Sequence, residues 1–304
     1  MTSSTVPPVS SMSPTSALRE WVRLVRPMQW SKNAILFAGA VFGAVIDQPE
    51  QFTLALLAFV VFCLISSATY IFNDWIDTKS DRLHPKKRFR PLAAGTIPST
   101  SALIIAGLCV GVGLTLSLAV GWWFLLVSVS YLTLMVGYCQ SLKNIVILDV
   151  FVIAGGFVLR AVGGAVAVDL PISPWLLFCT MLLALFLGFC KRRNELVALT
   201  DESRAYRKTL QGYTVPMLDQ AISVTAASTI MAYSIYTFNA TQVPTNDVMM
   251  ITIPFVAFAM FRYLFLVYAK NQGGSPEALL FRDLPLLCSI LGWGATVVLV
   301  ALFR

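Results

Sequence analysis

Residues 52–72, FTLALLAFVVFCLISSATYIF, form an apolar run without a charged side chain. A run of about 20 apolar residues is long enough to cross the hydrocarbon core of a bilayer as an α-helix. A membrane-spanning β-strand would be shorter and would alternate polar with apolar side chains, so the run predicts a helix. Similar runs recur along the chain and predict nine membrane helices, near residues 28–46, 52–72, 101–119, 121–139, 146–168, 173–190, 217–239, 248–269 and 281–303.

The composition favours an all-α, polytopic membrane protein over a soluble one. Of the 304 residues, 57% are hydrophobic and 12% are charged, and the mean hydropathy is +0.76. So many apolar side chains exceed what the core of a water-soluble domain can bury. We therefore predict a disordered tail rich in Ser, Thr and Pro over residues 1–18, followed by a single transmembrane domain over residues 19–304.

The charged residues indicate how the helices are oriented. Most Lys and Arg residues fall on one side of the predicted helices, chiefly in two cap loops near residues 73–100 and 191–216. The opposite connections carry acidic residues such as Asp47 and Asp169. By the positive-inside rule, the N-terminus and both long loops are cytoplasmic in a multi-pass protein of the cell membrane. Because the cations lie in these loops, the net charge of +7 does not indicate a nucleic-acid partner.

An acidic motif, NDWIDTKSD at residues 73–81, follows the second predicted helix. At 100° per residue, Asn73, Asp74, Asp77 and Asp81 project within an arc of about 100° on one helix face. Three neighbouring carboxylates repel one another unless a cation lies between them, and hard oxygen ligands suit Mg²⁺. We predict that the three Asp residues hold a catalytic Mg²⁺ and that Asn73 orients or ligates it. A solvated acidic helix end is the alternative.

A basic segment, HPKKRFRPLAAG at residues 84–95, comes directly after the acidic motif. A metal-diphosphate site needs both charges, since carboxylates hold the metal while Lys and Arg contact the remaining phosphate oxygens. The candidate phosphate ligands are Lys86, Lys87, Arg88 and Arg90. Ordinary positive-inside anchoring would also explain these cations, but it would not explain the carboxylates beside them.

The fifth predicted helix contains both an acid and a base. Asp149 and Arg160 are separated by about 20° in projection and roughly 16 Å along the helix axis, so both face the same interior direction. A buried Arg in a membrane helix is costly and marks a cavity or a partner. The pattern therefore leaves two interpretations of Arg160, a substrate-facing cation or a member of a structural ion pair.

Three segments together resemble the UbiA superfamily of intramembrane prenyltransferases. They are the N-D-x-x-D-x-x-x-D pattern at residues 73–81, HPKKRFRP at residues 84–91 and RPMQWSKN at residues 26–33. The resemblance extends over nearly the whole chain. It implies about nine transmembrane helices around a central cavity, Asp-rich cytoplasmic motifs that bind Mg²⁺-diphosphate, and a side opening for a polyprenyl chain. Lys32 lies in the third of these segments, and Lys143 lies in a segment similar to the tyrosine-lysine segment of the family, so both are candidate substrate contacts.

Residues 191–196, KRRNEL, depart from the second D-x-x-x-D motif of ordinary aromatic prenyltransferases in the superfamily. This segment resembles the branch that transfers phosphoribosyl from phosphoribosyl diphosphate to a polyprenyl (decaprenyl) phosphate. The resemblance implies that Lys191 and Arg192 bind either the lipid phosphate or the 5-phosphate. Glu195 would support a second metal or bind ribose hydroxyls, unless it only pairs with Lys191 or Arg192. The implied role is the supply of precursors for a cell-wall arabinan.

Two other functions remain open from the sequence. A prenyltransferase of the same superfamily would move a polyprenyl group from its diphosphate to an aromatic or polar acceptor. A transporter would also contain charged residues within a helical membrane domain. Against the transporter, the charges concentrate at one membrane face, whereas alternating access favours polar residues near the midplane. The sequence also leaves open whether the chain forms a homo-oligomer.

Overall fold

A computed structural model describes residues 14–42, 48–84, 87–198, 208–239, 248–274 and 276–302. The regular elements in these ranges are all helical, which confirms the all-α prediction. The α-helices are α1 (Pro14–Val25), α2 (Phe37–Phe42), α3 (Pro49–Ile76), α4 (Thr78–Leu83), α5 (Pro91–Ala94), α6 (Ser99–Val120), α7 (Trp122–Gln140), α8 (Leu148–Ala167), α9 (Pro174–Ala198), α10 (Val215–Asn239), α11 (Ile253–Ala269), α12 (Pro276–Arg282) and α13 (Leu284–Leu302). Short 3₁₀ helices occupy Pro27–Leu36, Lys87–Phe89, Leu142–Asn144, Lys208–Gly212 and Val248–Thr252.

Seven helices in the described chain are long and apolar enough to span a membrane. They are α3, α6, α7, α8, α9, α10 and the continuous segment Val248–Ala269. A multi-pass membrane protein is therefore confirmed, whereas the predicted count of nine spans is not. The first predicted span, residues 28–46, contains a 3₁₀ helix and the six-residue α2, and the last contains the shorter apolar helix α13.

Close backbone packing explains how α2 is held although it is short. Gly39 and Gly164 lie where α2 and the preceding residues meet α8. A Cβ atom on Gly164 would overlap the carbonyl oxygen of Leu36, and one on Gly39 would lie 3.0 Å from the backbone of Ala165. Only glycine permits such an approach between two backbones.

The chain forms two compact units, which we describe separately. The first unit comprises the residues up to Ala34 together with Leu57–Lys143. In it, Leu24 of α1 packs against Ile71 near the end of α3 and against Leu92 of α5, all of them buried. The apolar face of α1 thus fixes the chain around the end of α3, where the acidic motif begins.

The second unit comprises Ile35–Leu56 and Asn144–Arg304. Its core contains buried side chains from α8, α9, α10 and α11, such as Val150, Phe186, Leu218 and Tyr263. Gly188 of α9 lies against Val150 of α8, where any side chain on the glycine would overlap the valine. The small residues of α8 and α9 therefore allow these two helices to approach closely.

Helices extend into both segments that the sequence analysis treats as long loops. In the segment 73–100, α3 continues to Ile76 and is followed by α4 and α5. In the segment 191–216, α9 continues to Ala198, and residues 199–207 lie outside the described residues. The helical hydrogen bonds continue where the apolar sequence stops, because a helix end needs no apolar side chains once it has left the bilayer. At the other end of the chain, α1 begins at Pro14, within the segment 1–18 predicted to be a tail.

Candidate functional site

The acidic motif forms an almost continuous helical segment at the end of α3. Asp77, with φ −83° and ψ 0°, joins Ile76 at the end of α3 to Thr78 at the start of α4. The backbone N–H of Asp77 donates to the carbonyl of Asn73 (2.9 Å), and that of Asp81 donates to the carbonyl of Asp77 (2.8 Å). The helical register that the residue spacing predicts is therefore maintained across this junction.

Two arginines neutralise the buried carboxylates of the motif. Nη2 of Arg26 lies 2.6 Å from both carboxylate oxygens of Asp74. Nη1 of Arg90 lies 2.9 Å from Oδ1 of Asp74 and 2.7 Å from Oδ2 of Asp81, so it bridges the two carboxylates. The side chains of Asp74 and Asp81 are only 2% and 4% exposed, so solvent alone cannot neutralise them.

The backbone of Arg26 is strained. Its φ of 56° lies in the left-handed region, which residues with a Cβ atom rarely adopt. The residue joins α1 to the following 3₁₀ helix, and its guanidinium lies 5.4 Å from the ring centroid of Tyr70. The short bonds to Asp74 and the contact with Tyr70 together stabilise this conformation.

Lys143 neutralises the third carboxylate. Its Nζ donates to Oδ1 of Asp77 at 2.6 Å and to Oδ1 of Asn73 at 3.3 Å. Nδ2 of Asn73 in turn donates to Oδ2 of Asp77 at 3.1 Å. The 3₁₀ turn after α7 thus places Lys143 against the acidic motif, and the amide of Asn73 orients the Asp77 carboxylate.

The environment of Asp81 changes its acidity. Burial raises the pKa of Asp81 above its ordinary value, and the neighbouring Asp74 carboxylate also raises it. The positive charges of Arg90 and Lys87 lower the pKa of Asp81, but the effect of burial is larger. The pKa of Asp81 thus stays above its ordinary value even with these two cations nearby.

In the part of the chain that the structure describes, no group of three His, Cys, Asp or Glu side chains is arranged to hold a metal ion. Two carboxylates do converge on one point, because Asp74 and Asp81 both contact Nη1 of Arg90. Mg²⁺ in phosphate-binding sites is commonly held by one or two carboxylates, with phosphate oxygens and water as the other ligands. The carboxylate oxygens of Asp74 and Asp81 are therefore suitable ligands for Mg²⁺. In this structure the Nη1 atom of Arg90 lies between them.

The other candidate residues of the first unit lie around this segment. Arg88 is exposed, and its guanidinium lies 4.8 Å from the ring centroid of Phe89. Lys87 is partly buried in the same 3₁₀ turn, and Lys32 is partly buried in the 3₁₀ helix Pro27–Leu36. Lys86 lies outside the described residues.

The second unit contains a buried cluster of Asp149, Arg192 and Tyr213, which we call the buried triad. Nε of Arg192 lies 2.7 Å from Oδ2 of Asp149, and the hydroxyl of Tyr213 donates to Oδ1 of Asp149 at 2.7 Å. Nη1 of Arg192 also lies 2.7 Å from Oε2 of Glu195. The side chain of Arg192 is 2% exposed and that of Asp149 is fully buried, so protein groups satisfy this charge pair without help from solvent.

Tyr213 is a residue that the sequence analysis missed. Its hydroxyl accepts a hydrogen bond from the backbone N–H of Ile147 at 2.7 Å. The φ of Ile147 is 70°, a rare value for a β-branched residue, directly before α8 begins. Burial raises the pKa of Tyr213, as does its hydrogen bond to Asp149, so the phenol remains neutral. No local motif distinguishes this tyrosine in the sequence, because its partners come from a distant segment.

Arg160 and Lys191 are the remaining candidates in the second unit. Arg160 is buried, its Nη1 donates to the carbonyl of Gly156 at 3.1 Å, and its guanidinium lies 5.2 Å from the ring centroid of Phe157. Lys191 is partly buried on α9 beside Arg192. Asp149, which shares a helix face with Arg160 by residue spacing, forms its salt bridge with Arg192 of α9.

Comparison with known proteins shows similarity over most of the chain. A profile of the UbiA prenyltransferase family matches residues 35–284. Decaprenyl-phosphate phosphoribosyltransferase from Mycolicibacterium smegmatis is 32% identical over 299 residues, which cover 93% of each chain. The protein of the same name from Mycobacterium tuberculosis is 34% identical over 297 residues, covering 95% of this chain and 96% of the relative.

Solved structures show the same fold. A UbiA homolog from Archaeoglobus fulgidus, whose structure is bound to GPP and Mg²⁺, superposes with a TM-score of 0.73 and 18% sequence identity. The superposition covers 92% of this chain and all of that homolog. From the family match and the full-length relatives together, we conclude that the chain belongs to the UbiA prenyltransferase family.

Proposed function

We propose that the protein transfers the 5-phosphoribosyl group of phosphoribosyl diphosphate to a polyprenyl phosphate, such as decaprenyl phosphate, and releases diphosphate. The proposal rests chiefly on the similarity to decaprenyl-phosphate phosphoribosyltransferases, which extends over more than nine-tenths of each chain. The reaction depends on Mg²⁺ and takes place at the cytoplasmic face of the cell membrane, where the positive-inside rule places the charged segments.

The acidic motif is the proposed site for the diphosphate of the donor. Asp74, Asp77 and Asp81 would hold Mg²⁺, and Asn73 keeps the carboxylate of Asp77 oriented through its 3.1 Å hydrogen bond. Bound Mg²⁺ would neutralise the negative charge that develops on the departing diphosphate. The carboxylates supply hard oxygen ligands, and the cations already paired with them are close enough to bind phosphate oxygens after a change of partner.

The chemical step is a substitution at C1 of the ribose. An oxygen of the polyprenyl phosphate forms a bond to C1 while the bond from C1 to the diphosphate oxygen breaks, and diphosphate leaves with the bonding electron pair. The acceptor phosphate is already anionic, so the step needs no general base. Direct displacement inverts the configuration at C1 and gives the β product.

Phosphoribosyl diphosphate carries a 5-phosphate as well as a diphosphate, so its binding requires several cations. Around the diphosphate we assign Lys86, Lys87, Arg88, Arg90 and Lys143. For the 5-phosphate or the lipid phosphate, the candidates in the second unit are Arg160 and Lys191. Lys32 in the first unit is a separate candidate substrate contact. The salt bridge between Arg192 and Glu195 favours the alternative in which Glu195 pairs with Arg192 instead of supporting a second metal or binding ribose hydroxyls. Arg192 is also buried against Asp149, which makes it a weaker candidate for a phosphate contact than Lys191.

The second candidate is a prenyltransferase that uses a polyprenyl diphosphate as the donor. It is favoured by the fold match to a UbiA homolog bound to GPP and Mg²⁺. Against it, the segment 191–196 reads KRRNEL and lacks the second D-x-x-x-D motif. The two candidates differ in which substrate carries the diphosphate, and labelled donors distinguish them.

A donor assay with purified protein in lipid vesicles tests the proposal. Polyprenyl phosphate and Mg²⁺ are supplied with phosphoribosyl diphosphate that carries label in either its ribose or its diphosphate. The proposal predicts that ribose label enters the lipid fraction, whereas diphosphate label remains in water. A parallel reaction contains labelled prenyl diphosphate and an aromatic acceptor. Transfer of prenyl label without transfer of ribose label would overturn the proposal in favour of the second candidate.

A further inference from the structure

Arg90 lies between Asp74 and Asp81, two of the three carboxylates that would hold Mg²⁺. A single nitrogen, Nη1, is 2.9 Å from Asp74 and 2.7 Å from Asp81. Because both carboxylates are almost completely buried, removing the cation that lies between them is costly. A divalent cation held by these two carboxylates would therefore compete with the guanidinium of Arg90.

We infer that Arg90 is an internal counter-ion that occupies the metal position until the donor binds, and then moves to the diphosphate. The inference rests on the proposed function and deepens it, because it assigns Arg90 two successive partners. In the first state the guanidinium neutralises Asp74 and Asp81. In the second, its fork contacts diphosphate oxygens, which offer the paired acceptors that guanidinium prefers.

The surroundings of Arg90 permit this change of partner. Its side chain is 25% exposed, in contrast to the carboxylates that it bridges. Its backbone N–H donates to the carbonyl of Lys87, and its carbonyl accepts from the N–H of Ala94, so the main chain is held independently of the guanidinium. The side chain can therefore move without unfolding the turn that carries it.

Arg26 differs from Arg90 in a way that makes the exchange selective. Arg26 binds both oxygens of Asp74 and makes no salt bridge to Asp81. Asp74 thus keeps one salt-bridge partner when Arg90 departs, whereas Asp81 loses its salt bridge to Arg90 and retains the nearby charge of Lys87. Arg90 should therefore leave only when another cation arrives at Asp81.

This competition couples the binding of metal to the binding of diphosphate. Without diphosphate, a metal ion must displace the guanidinium of Arg90 from the two carboxylates. The displaced guanidinium then has no diphosphate to bind. Metal that arrives with diphosphate supplies that anion. The two should accordingly bind cooperatively, and loss of Arg90 should strengthen the binding of metal alone while weakening the binding of diphosphate.

Mn²⁺, as a paramagnetic probe of the divalent site, tests the inference in the purified full-length protein. In the absence of diphosphate, Arg90→Gln should bind Mn²⁺ about tenfold more tightly than the unmodified protein does. Arg19→Gln removes the same charge from an exposed position on α1 that is outside the proposed site, and its affinity for Mn²⁺ should stay within about twofold. Arg90→Lys retains the charge and should remain close to the unmodified protein, and thermal unfolding checks that each variant is folded.

A second measurement separates the inference from the proposed function. Binding of labelled inorganic diphosphate is measured at a fixed concentration of Mn²⁺, and Arg90→Gln should weaken it. If the unmodified protein binds diphosphate with Mn²⁺ but Arg90→Gln gains no affinity for Mn²⁺ alone, the inference is overturned and the proposed function stands. If the unmodified protein binds no diphosphate with Mn²⁺, both are overturned.

Discussion

The two units use the same types of charged residue in opposite environments. In the first unit, the carboxylates of the acidic motif pair with cations that reach solvent, such as Arg90, which is 25% exposed. In the second unit, Arg192 and Asp149 are sealed from solvent and receive a further hydrogen bond from Tyr213. Separating a sealed pair leaves an uncompensated buried charge, whereas a partly solvated cation can change partners at low cost. The first arrangement is suited to substrate exchange and the second to holding helices in place.

The largest effect should follow from removing a carboxylate of the first unit. We expect Asp77→Ala to lower the transfer of ribose label into lipid by at least about 10³-fold, because the charge on the departing diphosphate loses its stabilisation. The protein should remain folded, since Lys143 keeps its hydrogen bond to Oδ1 of Asn73 when Asp77 is removed and is partly exposed. Label transfer and thermal unfolding measure the two effects.

The control for Asp77→Ala is a change at the opposite end of α3. Glu50 is exposed near the first residue of α3, whereas Asp77 follows the last. Glu50→Gln should leave the transfer rate within about twofold, because a solvated charge so far along the helix is screened from the motif. Appreciable turnover by Asp77→Ala would remove that residue from the proposed metal site.

A change in the buried triad should lower stability instead. We expect Asp149→Ala to reduce the free energy of unfolding by about 3 kcal/mol, because Arg192 would be left buried with Glu195 as its remaining salt-bridge partner in the described chain. Replacing both members, as in Asp149→Leu with Arg192→Met, should recover part of this loss, since no buried charge remains unpaired. Denaturation in detergent measures both variants.

The neighbouring pair of Arg193 and Asp219 provides a control for Asp149→Ala. These two side chains are more exposed than Asp149 and Arg192. Asp219→Asn should therefore cost about 1 kcal/mol or less. If Asp149→Ala proved no more destabilising than Asp219→Asn, the contrast between sealed and solvated pairs would be wrong.

Much of the fold could be predicted from the sequence, because the length of an apolar run is a local property. The predicted spans 101–119 and 121–139 match α6 and α7 to within two residues at each end. The bounds of the first predicted span do not match those of a single α-helix. Apolar composition alone does not reveal that Pro27–Leu36 is a 3₁₀ helix. At the end of this 3₁₀ helix, the backbone of Leu36 lies against Gly164 of α8, a tertiary contact that hydropathy does not encode.

The partners of the charged residues were harder to predict than their positions. The spacing in the acidic motif placed its carboxylates on one helix face, but nothing in it indicated that Arg90 bridges Asp74 and Asp81. Helical geometry also placed Asp149 and Arg160 in the same direction, while the partner of Asp149 is Arg192 of a different helix. Such pairings depend on distances between helices, which hydropathy and residue spacing do not encode.

A smaller loss of stability should follow from Tyr213→Phe. The change removes the hydrogen bond to Asp149 and leaves the backbone N–H of Ile147 without its tyrosine partner, at a cost of about 1–2 kcal/mol. Tyr268→Phe is the control, because the hydroxyl of Tyr268 is 3.5 Å from the carbonyl oxygen of Asp219 at an exposed position. Equal effects of the two changes on thermal unfolding would argue against a positioning role for Tyr213.

The smallest effect should come from Arg23 in the first unit, whose side chain is 44% exposed although that of its partner Glu20 is only 11% exposed. Arg23→Gln removes the salt bridge to Glu20 and the hydrogen bond to the carbonyl of Phe89. Because the side chain of Arg23 is largely exposed, the free energy of unfolding should fall by about 1 kcal/mol or less. Chemical denaturation checks this value. A loss of unfolding free energy as large as that expected for Asp149→Ala would show that the exposure of a salt bridge does not determine its contribution to stability.

The most direct test of the central claim is the metal requirement of transfer by the unmodified protein. Movement of ribose label from phosphoribosyl diphosphate into polyprenyl phosphate is followed with Mg²⁺, after addition of excess EDTA, and after Mg²⁺ is restored. The claim that the acidic motif holds Mg²⁺ with the leaving diphosphate predicts that EDTA stops transfer and that restored Mg²⁺ returns it. Transfer that continues at the same rate in EDTA would contradict the claim.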